Sequence, residues 1–106
     1  MKLRTLYLHE NVIETISNVN HLTNLITLNL ESNMLKRLDN LEGLVNLQTL
    51  QLKRNRLCME EGLEAIEEVL KLPKVSVLDV QENRIADKNV LEEIFVKMPS
   101  LTVLYT

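Results

Sequence analysis

Apolar residues hold the first, fourth and sixth places of a nine-residue pattern that closes on asparagine. Leu3-Leu6-Leu8-Asn11 recurs as Leu25-Leu28-Leu30-Asn33, Leu47-Leu50-Leu52-Asn55 and Val75-Leu78-Val80-Asn83, and Leu101 and Leu104 open a fifth copy. The starting positions are 22, 22, 28 and 26 residues apart. Inside each copy Leu6 and Leu8, or their equivalents, alternate with residues such as Thr5, Tyr7 and His9. That period of two predicts a short strand with one face buried. Repetition at a fixed interval predicts that the strands stack in parallel as the inner wall of a solenoid, each unit burying its apolar side against the next.

A second apolar set follows each asparagine. In the first two units it runs Ile13, Ile16, Val19, Leu22 and Leu35, Leu38, Leu41, Leu44, a spacing of three that predicts tight 3-10 turns on the convex side. The third and fourth units carry insertions that predict α-helices. Met59, Leu63, Ile66 and Leu70 form one helical stripe stopped by Pro73; Val90, Leu91, Ile94, Phe95 and Met98 form another, with Asp87 as N-cap and Pro99 as its stop. The expected fold class is therefore α/β: one repeat domain over residues 1–106, with units starting near 3, 25, 47 and 75 and a partial one at 101. It has a parallel concave sheet, short 3-10 turns and two convex α-helices. No polar capping unit is recognisable at either end, which predicts a trimmed piece prone to association through Leu6 and Leu8 or through Leu104.

Two kinds of candidate functional residue follow from this frame. Asn11, Asn33, Asn55 and Asn83 sit at a fixed offset after each strand. An amide carries donors and an acceptor, so stacked copies can satisfy turn backbone that would otherwise be buried unpaired; these four are expected to be structural. The outward strand positions form rows across the concave face. One reads Thr5, Thr27, Thr49, Val77, Val103; the next Tyr7, Asn29, Gln51, Asp79, Tyr105; the third His9, Glu31, Lys53, Gln81. The last two rows are the expected partner-binding residues, a polar groove with a tyrosine at each end, tyrosine being a frequent interface anchor.

Composition narrows the partner. With 12 Lys and Arg against 15 Asp and Glu, net charge is −3 and the signs are interspersed. Nucleic acid and anionic lipid need a basic stripe, so neither is the expected partner. Cys58 is the only cysteine and excludes an intrachain disulfide; no apolar run approaches the ~20 residues that span a bilayer. Met1-Lys2 leads straight into the first repeat without a signal segment. The expected setting is the cytoplasm. Chemistry is thin: His9 lies on the concave face and His21 on the convex side, Cys58 has no histidine in its layer, and Gly43 and Gly62, the only glycines, form no phosphate loop. Glu60, Glu61, Glu64, Glu67 and Glu68 read as the solvated face of the third-unit helix. The expectation is a protein without catalytic residues, metal, cofactor or small-molecule substrate, which binds another protein.

The pattern as a whole resembles the leucine-rich repeats, whose period is about 20–29 residues. Its 22-residue form is similar to a mainly intracellular subclass that includes a protein phosphatase 1 regulatory subunit, the outer-arm dynein light chain 1 and the axonemal dynein assembly factor with leucine-rich repeats. The fourth unit is the most specific. Val77-Leu78-Asp79-Val80-Gln81-Glu82-Asn83-Arg84-Ile85-Ala86-Asp87, then Val90-Leu91, then Met98-Pro99-Ser100-Leu101-Thr102-Val103-Leu104 look like the last repeats of the assembly factor. Lys88 departs from a usual proline, and the sequence stops before that family's Gly-Asn-Pro turn and capping segment. The resemblance implies a scaffold that binds dynein subunits or their chaperones during cytoplasmic preassembly of dynein arms for cilia or flagella. The alternatives it implies are a module docking on a phosphatase catalytic subunit and a structural axonemal component like the light chain.

Overall fold

The computed structural model describes residues 3–58, 67–85, 92, 96–98 and 100–106. Five three-residue strands, β1 (Thr5–Tyr7), β2 (Thr27–Asn29), β3 (Thr49–Gln51), β4 (Val77–Asp79) and β5 (Val103–Tyr105), form one sheet in chain order. All four pairings are parallel, in the register Leu6–Leu28–Leu50–Leu78–Leu104. A parallel neighbour requires the chain to travel around and return, so each unit is one turn of a coil.

The coil interior is aliphatic. Leu25, Leu28, Leu35, Leu38, Leu41, Leu44, Leu47, Leu50, Leu52, Leu57 and Leu78 have no exposed surface, whereas Leu6 and Leu104 at the two ends are half-buried. Each fully buried leucine contributes about 1.5–3 kcal/mol of transfer free energy. The burial is obtained between turns, not within one turn.

Leaving the sheet requires a sharp corner. Glu10, Ser32, Arg54 and Glu82, each immediately before a ladder asparagine, have φ of 57°, 57°, 59° and 53°. The left-handed region costs a non-glycine residue about 1–2 kcal/mol. Asparagine side chains offset that cost by tying the corner to its neighbours. Asn55 Nδ2 donates to the carbonyls of Leu52 (3.0 Å) and Lys53 (3.5 Å) in its own turn and of Leu30 (2.8 Å) in the turn before. Its Oδ1 accepts the N–H of Leu35 at 3.1 Å. Asn33 and Asn83 repeat the set: each donates to carbonyls of its own turn and the turn before, and accepts from Ile13 and Leu57 respectively. Asn11, in the first turn, is exposed and donates only to Leu8 and His9.

On the convex side of the first two units the tight turns are single 3-10-type turns separated by bends: the N–H groups of Leu22 and Leu25 donate to the carbonyls of Val19 and Leu22, and those of Leu44 and Leu47 to Leu41 and Leu44. Asn18 and Asn40 stand at φ of 60° and 58° inside those segments, which a right-handed 3-10 helix cannot contain. Side chains join successive segments instead. Asn40 Nδ2 donates to the Ile16 carbonyl at 2.7 Å, and Asn20 Oδ1 accepts the Gly43 N–H at 2.9 Å. A Cβ at Gly43 would lie 1.9 Å from the Asn20 carbonyl oxygen, so glycine is required by this approach. Glu42 joins the same contact; its own backbone N–H and the Asn20 amide hold its carboxyl below the usual carboxylate range.

The two expected convex α-helices lie mostly outside the described residues: Met59, Leu63 and Ile66 in one, Asp87, Val90, Leu91, Ile94, Phe95 and Pro99 in the other. What is described at the end of the third unit is a 3-10 helix, Glu67–Lys71. Leu70, the last member of the expected stripe, is on its outer side at 39% exposure, and Val69 and Leu72 are buried in its place. Three residues per turn put positions i and i+3 on one face, which moves the buried stripe off the α-helical spacing.

Candidate functional site

Pleating determines what the concave wall presents. With Leu6, Leu28, Leu50, Leu78 and Leu104 turned inward, their strand neighbours must point out. The observed register aligns Thr5, Thr27, Thr49, Val77 and Val103 in one row and Tyr7, Asn29, Gln51, Asp79 and Tyr105 in the next. The backbone ladder runs one rung further. Glu10 N–H donates to the Glu31 carbonyl, Ser32 to Lys53 and Arg54 to Gln81, at 3.0, 2.9 and 3.0 Å. His9, Glu31, Lys53 and Gln81 are thereby stacked as the third row.

The rows are uneven in exposure and in freedom. Tyr7 and Tyr105 are 63% and 49% exposed, while Asn29 and Gln51 are half-buried and Asp79 is at 9%. Two central side chains fold back on their own chain. Asn29 Oδ1 accepts the Glu31 N–H at 2.9 Å, and Asp79 Oδ1 accepts the Gln81 N–H at 3.0 Å. These local turns fix both side chains before any partner arrives. Tyr7 meets His9 edge to face, ring centroids 6.2 Å apart at 77°. The floor is therefore pre-set and polar, and the aromatic surface stands at its two ends.

Beside the third row, Arg54 Nε bonds Glu82 Oε2 at 2.7 Å across adjacent corners. That hydrogen bond, followed by the Glu82 charge, pushes the Arg54 pKa up from its ordinary value. Both groups are exposed, so the pair orients a charged rim more than it stabilises the fold.

A fourth row escaped strict alternation. Arg4, Ile26, Gln48, Ser76 and Thr102 sit at the corner entering each strand, where the carbonyls of Arg4, Ile26, Gln48 and Ser76 each accept two N–H groups of the following unit. Arg4, Ile26 and Gln48, with Asn24 and Asn46, line a hollow that widens the concave face on this side. The readable signal was the fixed position of these residues directly after the first leucine of each copy; period-two reasoning assigns that place to the core. Lys74 Nζ donates to Asn46 Oδ1 at 2.9 Å at the hollow's edge.

Elsewhere, His21 is exposed on the convex side, and Cys58 is half-buried in an isolated parallel bridge with Arg84. Among the described residues no three His, Cys, Asp or Glu side chains come together to hold a metal, and no helix is long and apolar enough to cross a membrane.

No family model matches this sequence, and no similar sequence was found among curated proteins. Solved structures do match. A leucine-rich repeat protein of Leptospira interrogans superposes with a TM-score of 0.79 at 28% identity, over 95% of this chain and 25% of its own. Internalin C2 of Listeria monocytogenes gives 0.78 at 26%, over 96% and 41%. The SNF/U2A' complex of Drosophila melanogaster gives 0.79 at 27%, over 94% of this chain and 57% of the matched one. The chain spans well under two thirds of each of these proteins.

Proposed function

We propose that this leucine-rich repeat protein is a non-catalytic binding scaffold that holds a protein partner against its concave face. One observation carries the reading: two outward rows, Tyr7 to Tyr105 and His9 to Gln81, aligned strand by strand, form a continuous polar floor with exposed Tyr7 and Tyr105 at its ends. The neighbour crystallised as the SNF/U2A' complex supports protein binding as a use of this fold. A pre-set floor lowers the ordering cost of binding, and half-exposed tyrosines offer large contact area at little entropic cost.

The reading is tested at the middle of the floor. Gln51→Arg with Lys53→Glu alters shape and charge without touching a core residue. Partner capture should fall by more than about tenfold, equivalent to ~1.4 kcal/mol, with an unchanged unfolding midpoint. Undiminished capture by that variant would place the binding surface elsewhere.

The finer reading is that the partner is a dynein subunit or an assembly chaperone, bound in the cytoplasm while axonemal arms are put together. Its support is the resemblance of Val77–Asp87 and Met98–Leu104 to the assembly factor. Removing the protein from ciliated cells should deplete dynein arms from axonemes; a full complement of arms after its loss would refute this reading and leave the scaffold reading intact.

A further inference from the structure

We propose that the hollow beside the strand entries takes a carboxylate side chain of the protein partner, so that an acidic segment of that partner lies along this flank of the concave face. The inference rests on the concave-face reading and names the chemistry of what that face receives. The hollow is open, ≈ 440 Å³, and centres on the second coil, where Ile26 lies between Arg4 and Gln48 in one row and Asn24 lies beside Asn46 in the next. Arg4, Asn24 and Gln48 are exposed, and half-buried Ile26 is the apolar member of the lining. Among the described residues no carboxylate lines it, and the one full charge on its wall is the guanidinium of Arg4.

Two cations bound the hollow. Arg4 carries N–H donors in a planar fork that matches a carboxylate. Among the described residues no acid stands within ion-pair distance of it. Lys74 Nζ gives one hydrogen to Asn46 Oδ1 at 2.9 Å and keeps its others for a ligand. Asn46 is itself tied by Nδ2 to the Thr23 carbonyl at 2.9 Å, so the ammonium is held at the hollow's edge by a fixed post. The exposed amides of Asn24 and Gln48 add donors beside the two cations.

The opposite flank sorts charge the other way. There Glu82 bonds Arg54 at 2.7 Å, and Glu31 and Glu10 act on the same guanidinium. Asp79, the acid of the central row, bonds the Gln81 N–H on that same side. Carboxylates thus accompany Lys53 and Arg54 at the strand exits, whereas Arg4 and Lys74 at the strand entries stand without one among the described residues. An acidic segment is attracted to the entries and repelled from the exits, which fixes the partner's orientation as well as drawing it in. Nucleic acid is a poor occupant, since two cations without a basic stripe release few counterions.

Hexaglutamate is the probe, titrated into the isotope-labelled intact chain at about 50 mM salt, where screening of exposed charges is modest. Nuclear magnetic resonance shifts should gather at the amides of Asn24, Ile26, Asn46 and Gln48, and hexaglutamine should produce none. Arg4→Gln with Lys74→Gln should weaken hexaglutamate binding by at least about fivefold, whereas Arg4→Lys with Lys74→Arg, which keeps both charges, should retain most of it. Both residues are exposed, so the unfolding midpoint should match that of the parent chain. Absence of shifts, shifts centred on Glu31, Arg54 and Glu82, or binding that survives Arg4→Gln with Lys74→Gln would each overturn the proposal. Equal shifts at the same amides from inorganic phosphate would overturn it too, by showing a site for any anion. If hexaglutamate misses the hollow while Gln51→Arg with Lys53→Glu still abolishes partner capture, this inference falls and the scaffold reading stands.

Discussion

Asn55 and Asn11 occupy the same place in the repeat and do different work. Asn55 is buried and spans two turns with its donors and its acceptor; Asn11 is exposed and bonds only within its own turn. In urea denaturation Asn55→Ala should cost about 1–3 kcal/mol, the cost of leaving buried backbone groups unsatisfied. Asn55→Asp should cost more, because its carboxylate would face the carbonyls of Leu30, Leu52 and Lys53 with no N–H to give. Asn11→Ala should stay within about 0.5 kcal/mol. The offset of the asparagines was legible from spacing alone, but their inequality was not: it depends on which backbone groups of a neighbouring turn each amide reaches. The left-handed corners at Glu10, Ser32, Arg54 and Glu82 gave no sequence signal either, since these residue types vary while only their position repeats.

Among elements, the strands and the tight turns of the first two units were readable, and the end of the third convex segment was not. Alternation around Leu6, Leu28, Leu50, Leu78 and Leu104 has one physical solution, a strand with those leucines inward, and the rows of the concave face follow from it. A spacing of three on the convex side has more than one solution, because bends and turns between stacked coils reproduce it without a helix. The third unit shows the consequence. A stripe of four-and-three spacing ends on Leu70, yet counting back from the strand gives Val69, Leu72 and Val75, the same steps as Val19, Leu22, Leu25 and Leu41, Leu44, Leu47. The backbone bonds repeat as well: Leu22 to Val19, Leu44 to Leu41 and Leu72 to Val69. Alignment to the following strand, not helical periodicity, was the better guide. Leu72→Ala should therefore destabilise by about 2–5 kcal/mol, as large core truncations do. Leu70→Ala should change stability by less than about 0.5 kcal/mol. Equal costs at the two positions would restore the α-helical stripe.

At the scale of the whole molecule, each turn contacts its neighbours only, so architecture and recognition surface both follow from one repeated junction. That junction aligns the tyrosines, amides and charges of the concave floor. Identity of the partner was not legible from the repeat, because the residues that make the coil are those common to every copy, whereas Tyr7, Asn29, Gln51, Asp79 and Tyr105 differ from turn to turn. The most direct test of the account is the pattern of backbone proton contacts and amide exchange by nuclear magnetic resonance. Parallel in-register contacts linking Leu28, Leu50 and Leu78, with slowly exchanging amides at Leu30, Leu52 and Val80, are the predicted result. Close Hα–Hα pairs between those strands, the mark of antiparallel pairing, or exchange at unprotected rates at those three amides, would contradict it.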